Sequence, residues 1–267
     1  MRTTIQKQYS KLGIDVNSNK VLKDYLNRTE FKNEDIKKQF ELFHMDFILG
    51  LREIEKVDNS SFNRYIKTIN DTKGESNFWG EKFEVYFHSK LIQGIPQIIT
   101  NLKRGKDGLE PDLLFDFNNS NLGIELTTLK YIIPPKSEEQ VLSKITECIR
   151  KKNSNKYANP KCALIIDITN IVAYEKIFNF SLNKIFKEQF NGFSYLSKEI
   201  NFGMIILCNS VFKKKSDDTL YHMLAPRIGI MNEKQIIDKD LNQFLNISFD
   251  NFKTNNNFDL QFHHLNM

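Results

Sequence analysis

Two carboxylates spaced across a short hairpin are the residues of this 267-residue chain best suited to chemistry. Glu110-Pro111-Asp112-Leu113-Leu114-Phe115-Asp116-Phe117 is followed by the turn-forming run Asn118-Asn119-Ser120-Asn121 and then by Gly123-Ile124-Glu125-Leu126-Thr127-Thr128. The two flanking runs read as strands and the Asn cluster as the turn joining them. If the turn is centred on Asn119 and Ser120, Asp112 comes opposite Thr127, with Glu125 on the same face two residues back. Converging carboxylates repel, and each resists ionisation unless a cation neutralises both; Mg²⁺ favours such oxygens together with waters and phosphate oxygens. A cation held there would lower the pKa of a water and stabilise a phosphate under attack. Phosphodiester hydrolysis is the chemistry this pattern suits.

The elements that must position these residues follow from periodicity. Phe78, Trp79, Phe83, Tyr86, Phe87 and Leu91 fall in one apolar sector, so a helix is expected over Asn77–Ile92. Strands are expected over Pro96–Leu102, Asp112–Phe117 and Leu122–Leu129, a helix over Ser137–Lys152, and a buried strand over Cys162–Thr169, where Ala163, Leu164, Ile165 and Ile166 run together. Further on, the pattern gives a short helix at Leu182–Gln189, strands at Phe202–Phe212 and Leu220–Ile230, and a helix at Glu233–Leu245. Before all of this, Asn19–Asn70 carries helical stripes such as Phe40, Phe43, Phe47 and Leu51. The expected architecture is α/β, a mixed central sheet flanked by helices. A helical N-terminal subdomain (1–72) precedes the sheet domain (73–267).

Pro111-Asp112, the Glu125-Leu126-Thr127 tripeptide and the helix-strand-strand-strand-helix-strand order resemble the PD-(D/E)xK nuclease superfamily, the restriction-endonuclease-like fold. The resemblance covers about a third of the chain. It implies an endonuclease dependent on Mg²⁺ or Mn²⁺, with Asp112 and Glu125 as metal ligands, and DNA rather than RNA as substrate. Restriction or anti-phage defence is the setting it suggests, with a homodimer or a defence-system protein as companion. The sequence departs from the motif at Thr127, where the superfamily usually has Lys, so a hydroxyl stands in that place.

The superfamily's first helix often adds a Glu. Glu84 is preferred as this further metal ligand because it flanks the apolar sector, whereas Glu81 points closer to the solvated side. The lysine function is expected to come from Lys144 at the start of the second helix, near the end of the Glu125 strand. Lys151 and Lys152 lie roughly 10 Å farther along at ~1.5 Å per residue. Lys130 and Lys136 in the connecting loop are the other candidates. A non-catalytic nucleic-acid-binding or scaffolding module on the same fold is the competing class, and an RNA-directed nuclease is the other enzyme the same site could serve.

Basic clusters add phosphate contacts to this expectation: Lys103-Arg104-Gly105-Lys106 before the Asp112 strand, and Lys213-Lys214-Lys215 in the connection between two later strands. A formal charge of +5 permits a polyanionic partner without demanding one. Cys148, Cys162 and Cys208 are too scattered for a zinc site and odd in number for a disulfide framework, which points to a reducing cytoplasm. The apolar runs are too short for a bilayer span and Met1–Lys11 is polar, so no membrane partner is expected. His44, His88, His222, His263 and His264 lack metal-ligand spacing.

Overall fold

A computed structural model describes residues 2–27, 34–72, 75–94, 98–129, 135, 137–172, 200–214, 220–230 and 238–254. The chain divides into two compact units. Of the described residues, the first unit takes 2–94 with 211–214 and 220–223, and the second takes the rest.

The first unit holds α1 (Arg2–Lys11), α2 (Lys20–Leu26), α3 (Glu34–Val57), α4 (Asn59–Asp71) and α5 (Glu75–Gly94). Asn19 and Asp58 cap α2 and α4 by accepting from Leu22 and Ser61 amides. Tyr9, Phe47, Leu51, Tyr65, Phe78 and Val85 share one buried cluster, so α5 belongs with the preceding helices. The unit border therefore falls after α5 rather than at residue 72, because α5 buries its apolar residues against α3 and α4. The expectation that Glu81 faces solvent also changes. Glu81, Lys82, His88 and Ser89 are all buried alongside Phe83 and Phe87, so this helix has no fully solvated side at that level.

The second unit is built on the sheet. The strands are β1 (Ile99–Arg104), β2 (Leu113–Phe117), β3 (Ser120–Thr128), β4 (Cys162–Asp167), β5 (Met204–Lys214) and β6 (Leu220–Ile230), the stretches 211–214 and 220–223 of the last two counting with the first unit, with α6 (Glu138–Asn153) between β3 and β4 and α7 (Lys239–Thr254) after β6. Among the described residues the sheet is six-stranded and follows chain order, β1 to β6. It is mixed: β1, β2 and β3 pair antiparallel, while β3, β4 and β5 pair parallel. The α/β class and the order α5, β1, β2, β3, α6, β4 agree with the sequence reading. The expected helix at Leu182–Gln189 lies outside the described residues, and the last helix begins at Lys239 and runs on to Thr254.

The β2–β3 register differs from the sequence expectation by two residues. Phe117 pairs with Ser120 and Leu113 with Ile124, so the turn is Asn118-Asn119, both with positive φ (50° and 64°). A two-residue hairpin of this kind needs left-handed backbone at both central positions, which Asn tolerates and Ser does not. An even shift keeps every side chain on its face. Its effect is to bring Asp112 level with Glu125 instead of Thr127.

Helices cover the two faces. Val141, Ile145 and Ile149 of α6 pack on Cys162, Leu164 and Ile166, on the same face as Glu125 and Thr127. On the other face Phe244 of α7 meets Phe115 and Phe117, with ring centroids 4.3 and 5.8 Å apart. Ser137 caps α6 by accepting from the Gln140 amide, acidic Glu138 and Glu139 occupy its first turn, and Arg150, Lys151 and Lys152 its last, as the helix dipole favours. Past its end, Asn201 donates through its backbone amide to Asn153 Oδ1 (2.7 Å) and through its side chain to the Asn153 carbonyl (3.1 Å).

Candidate active site

Pro111-Asp112 is held where β1 and β2 converge. The Gly105 amide donates to the Asp112 carbonyl at 2.9 Å. A methyl group at Gly105 would overlap the Pro111 carbonyl oxygen, and one at Gly123 would come within 2.6 Å of Cys162 Sγ and 2.7 Å of Pro111 Cγ. Both glycines therefore exist to admit the Pro111 segment. Because β2 begins only at Leu113, opposite Ile124, the Leu126 amide lies beyond the last main-chain pair. Asp112 Oδ2 takes that place in the ladder, accepting from Leu126 N at 2.7 Å.

Glu125 is 1% exposed, deep in β3. Its Oε1 accepts from Lys152 Nζ, while Oε2 is buried with no hydrogen-bond partner. The Asp112 carboxyl is pushed up to about 7, by burial first and by the Glu125 charge second; the Leu126 amide, Lys152 and Arg104 pull the other way. Burial works against the Lys152 charge, but Glu125, by charge and hydrogen bond, outweighs it and holds the ammonium above the ordinary lysine value. Tyr157 and Cys162 are pushed up as well, Cys162 to about 12, by burial and then by Glu125.

Of the expected site residues, the structure brings Asp112 and Glu125 together. It places Thr127 on the same face, half-buried. Lys144 does not join them: its ammonium lies 3.5 Å from Glu147 and its side chain is 41% exposed. The lysine that reaches Glu125 is Lys152. Proximity to the end of β3 does not select it, because α6 connects two parallel strands and must run back along them, returning its last turn toward the start of β3. The signal available in the sequence was the basic last turn combined with that crossover geometry.

Glu84 lies on α5 in the first unit and is half-buried, whereas Asp112 and Glu125 belong to the second. Arg104 is buried at 7% exposure and adds its charge to the surroundings of Asp112, so it is not a surface contact; Lys103 and Lys106 on either side are exposed. Lys213 and Lys214 belong to the end of β5 rather than to a connection, and Lys215, Lys130, Lys136, His263 and His264 lie outside the described residues. The remaining histidines are buried in the first unit: His44 Nδ1 lies 2.7 Å from the Tyr9 hydroxyl, His88 Nδ1 lies 3.3 Å from that of Tyr65, and His222 Nδ1 lies 3.2 Å from Asp46.

Among the described residues no group of three or more His, Cys, Asp or Glu side chains is arranged to hold a metal ion. Two carboxylates suffice for Mg²⁺, which keeps several waters and takes one or two protein oxygens. The partnerless Glu125 Oε2 beside an Asp112 that resists ionisation has the donor chemistry such an ion requires. No helix among the described residues is long and apolar enough to cross a membrane. No family model, curated protein or solved structure matches the chain.

Proposed function

We propose that the chain is a divalent-metal-dependent phosphodiesterase, an endonuclease of the PD-(D/E)xK kind acting on DNA. The observation that carries this reading is the convergence of Asp112, Glu125 and Lys152 on one face of the sheet, with Glu125 Oε2 left without a partner. Asp112 and Glu125 would hold Mg²⁺ or Mn²⁺. The cation's chemistry is to relieve the carboxylate repulsion, acidify water and neutralise phosphate charge. Lys152 supplies the ammonium that the superfamily usually places at the position of Thr127. Held by Glu125 and protonated at neutral pH, it offers positive charge and N–H donors to a phosphate oxygen or to the attacking water. Thr127 keeps a smaller part, filling the strand position.

The experiment is incubation of the purified protein with supercoiled plasmid and with structured RNA, in Mg²⁺, Mn²⁺ or EDTA, beside Glu125→Gln. Nicked or linear plasmid that requires the cation and disappears in the variant is the expected result. Cleavage of RNA alone would move the substrate class. Absence of any product with full DNA binding would favour a binding module.

A further inference from the structure

A carboxylate whose side chain is 2% exposed keeps its charge only beside an opposite one, and Glu125 meets that charge in Lys152. The ammonium donates to Oε1 from the last turn of α6, while Oε2 stays buried without a hydrogen-bond partner. The two members of this pair differ in freedom. Glu125 is fixed within β3 between the buried Ile124 and Leu126. The Lys152 side chain is 26% exposed and carries its charge on a flexible four-carbon stem, so it has both solvent to move into and the means to move.

A divalent cation on Oε2 would stand no more than roughly 7 Å from an ammonium still on Oε1, taking ~2.1 Å for the metal–oxygen bond and ~2.8 Å for the ammonium–oxygen bond. Charges of +2 and +1 repel at that separation, and around a buried carboxylate little solvent screens them. We propose that Lys152 is a resident counter-ion that a divalent cation must drive off Glu125, so that filling the site with metal releases the ammonium. The inference rests on the metal-dependent reading above and deepens it, since entry of the cation becomes the event that frees Lys152 for a phosphate oxygen or the attacking water. Without metal, the same ammonium balances Glu125 and stabilises the fold. The empty site is thus kept stable at the expense of affinity for the cation.

The test uses the full-length protein and reads Mn²⁺ binding by calorimetry, with melting in EDTA and in saturating Mn²⁺, for wild type, Lys152→Met and Glu125→Gln. Lys152→Met keeps a long unbranched side chain and removes the charge. It is expected to bind Mn²⁺ about 10-fold tighter than wild type, a coupling of ordinary size between two ligands of one group. It is also expected to melt lower than wild type in EDTA and to gain more from saturating Mn²⁺. A second measurement reads the release directly in wild type: reductive methylation of Lys152, followed by mass spectrometry, should run several-fold faster in Mn²⁺ than in EDTA, while Lys144, paired with Glu147, keeps one rate. Should Lys152→Met fail to fold, the methylation rates decide alone. Equal or weaker Mn²⁺ binding in a folded Lys152→Met, or a Lys152 rate that Mn²⁺ does not raise, overturns the inference while the metal site stands. If wild type binds no Mn²⁺, or Glu125→Gln binds it as well as wild type does, the metal reading and this inference fall together.

Discussion

Asp112 is the group through which pH should act on the cation-free protein. Its carboxyl titrates near 7 in the fold against an ordinary value of 3.8, so between those values the folded state holds a proton that the unfolded chain has released. The stabilisation is complete below about pH 4 and is lost as pH rises through 7, on the order of 4 kcal/mol. In EDTA the melting temperature should therefore decline from pH 5.5 to 8, and Asp112→Asn, which stays neutral, should flatten that decline; an identical decline in the variant would refute the assignment. Lys152 and Lys144 give the second contrast. Lys152→Ala removes the charge facing Glu125 and is expected to lower turnover about a hundredfold or more under single-turnover conditions. Lys144→Ala disturbs only an exposed pair with Glu147 and should leave turnover near wild type.

The hairpin and the two glycines set the scale above the residue. Gly105→Ala would push its new methyl into the Pro111 main-chain carbonyl, and the Asp112 segment must yield. The expected outcome is loss of metal-dependent cleavage with the far-ultraviolet dichroism of the sheet and helices retained; normal cleavage would mean that Asp112 tolerates displacement. Much of this level was legible beforehand. The strand-like runs on either side of the Asn cluster gave β2 and β3, the apolar run Ala163–Ile166 gave β4, and the apolar face with Val141, Ile145 and Ile149 gave α6. The register does not follow from the sequence because it depends on which two residues accept positive φ, and a run of four turn-formers offers several choices until the backbone selects Asn118-Asn119. Lys152 is hidden in the sequence for a related reason. Distance along a helix is local arithmetic, whereas the return of a crossover helix over its sheet is a property of topology. The burial of Arg104 and Glu81 was equally invisible, since a charged residue in a chain string looks solvated until its neighbours are known.

At the scale of the molecule, the net charge of +5 becomes useful only where it is exposed near the site. Lys103 and Lys106 flank the Asp112 strand in solvent, and if both meet phosphates, replacing the pair with Ala should reduce the slope of log affinity against log salt by about two. An unchanged slope in a fluorescence-anisotropy titration would remove them from the DNA surface. The grouping of α5 with the preceding helices means that a truncation at residue 72, the expected border, would cut through a packed unit. One distant attachment has a consequence for how the protein responds to heat. The last turn of a helix is the first part to fray, and here that turn carries the ammonium of the site, yet Asn201, 48 residues downstream of Asn153, moors it with two hydrogen bonds. Asn201→Ala removes the side-chain bond and keeps the backbone one, which would leave the core of the sheet untouched while loosening the helix end that carries Lys152. Such a protein would go silent on warming well before it unfolds, with the temperature of inactivation and the temperature of melting drawn apart by a residue that touches no reacting atom.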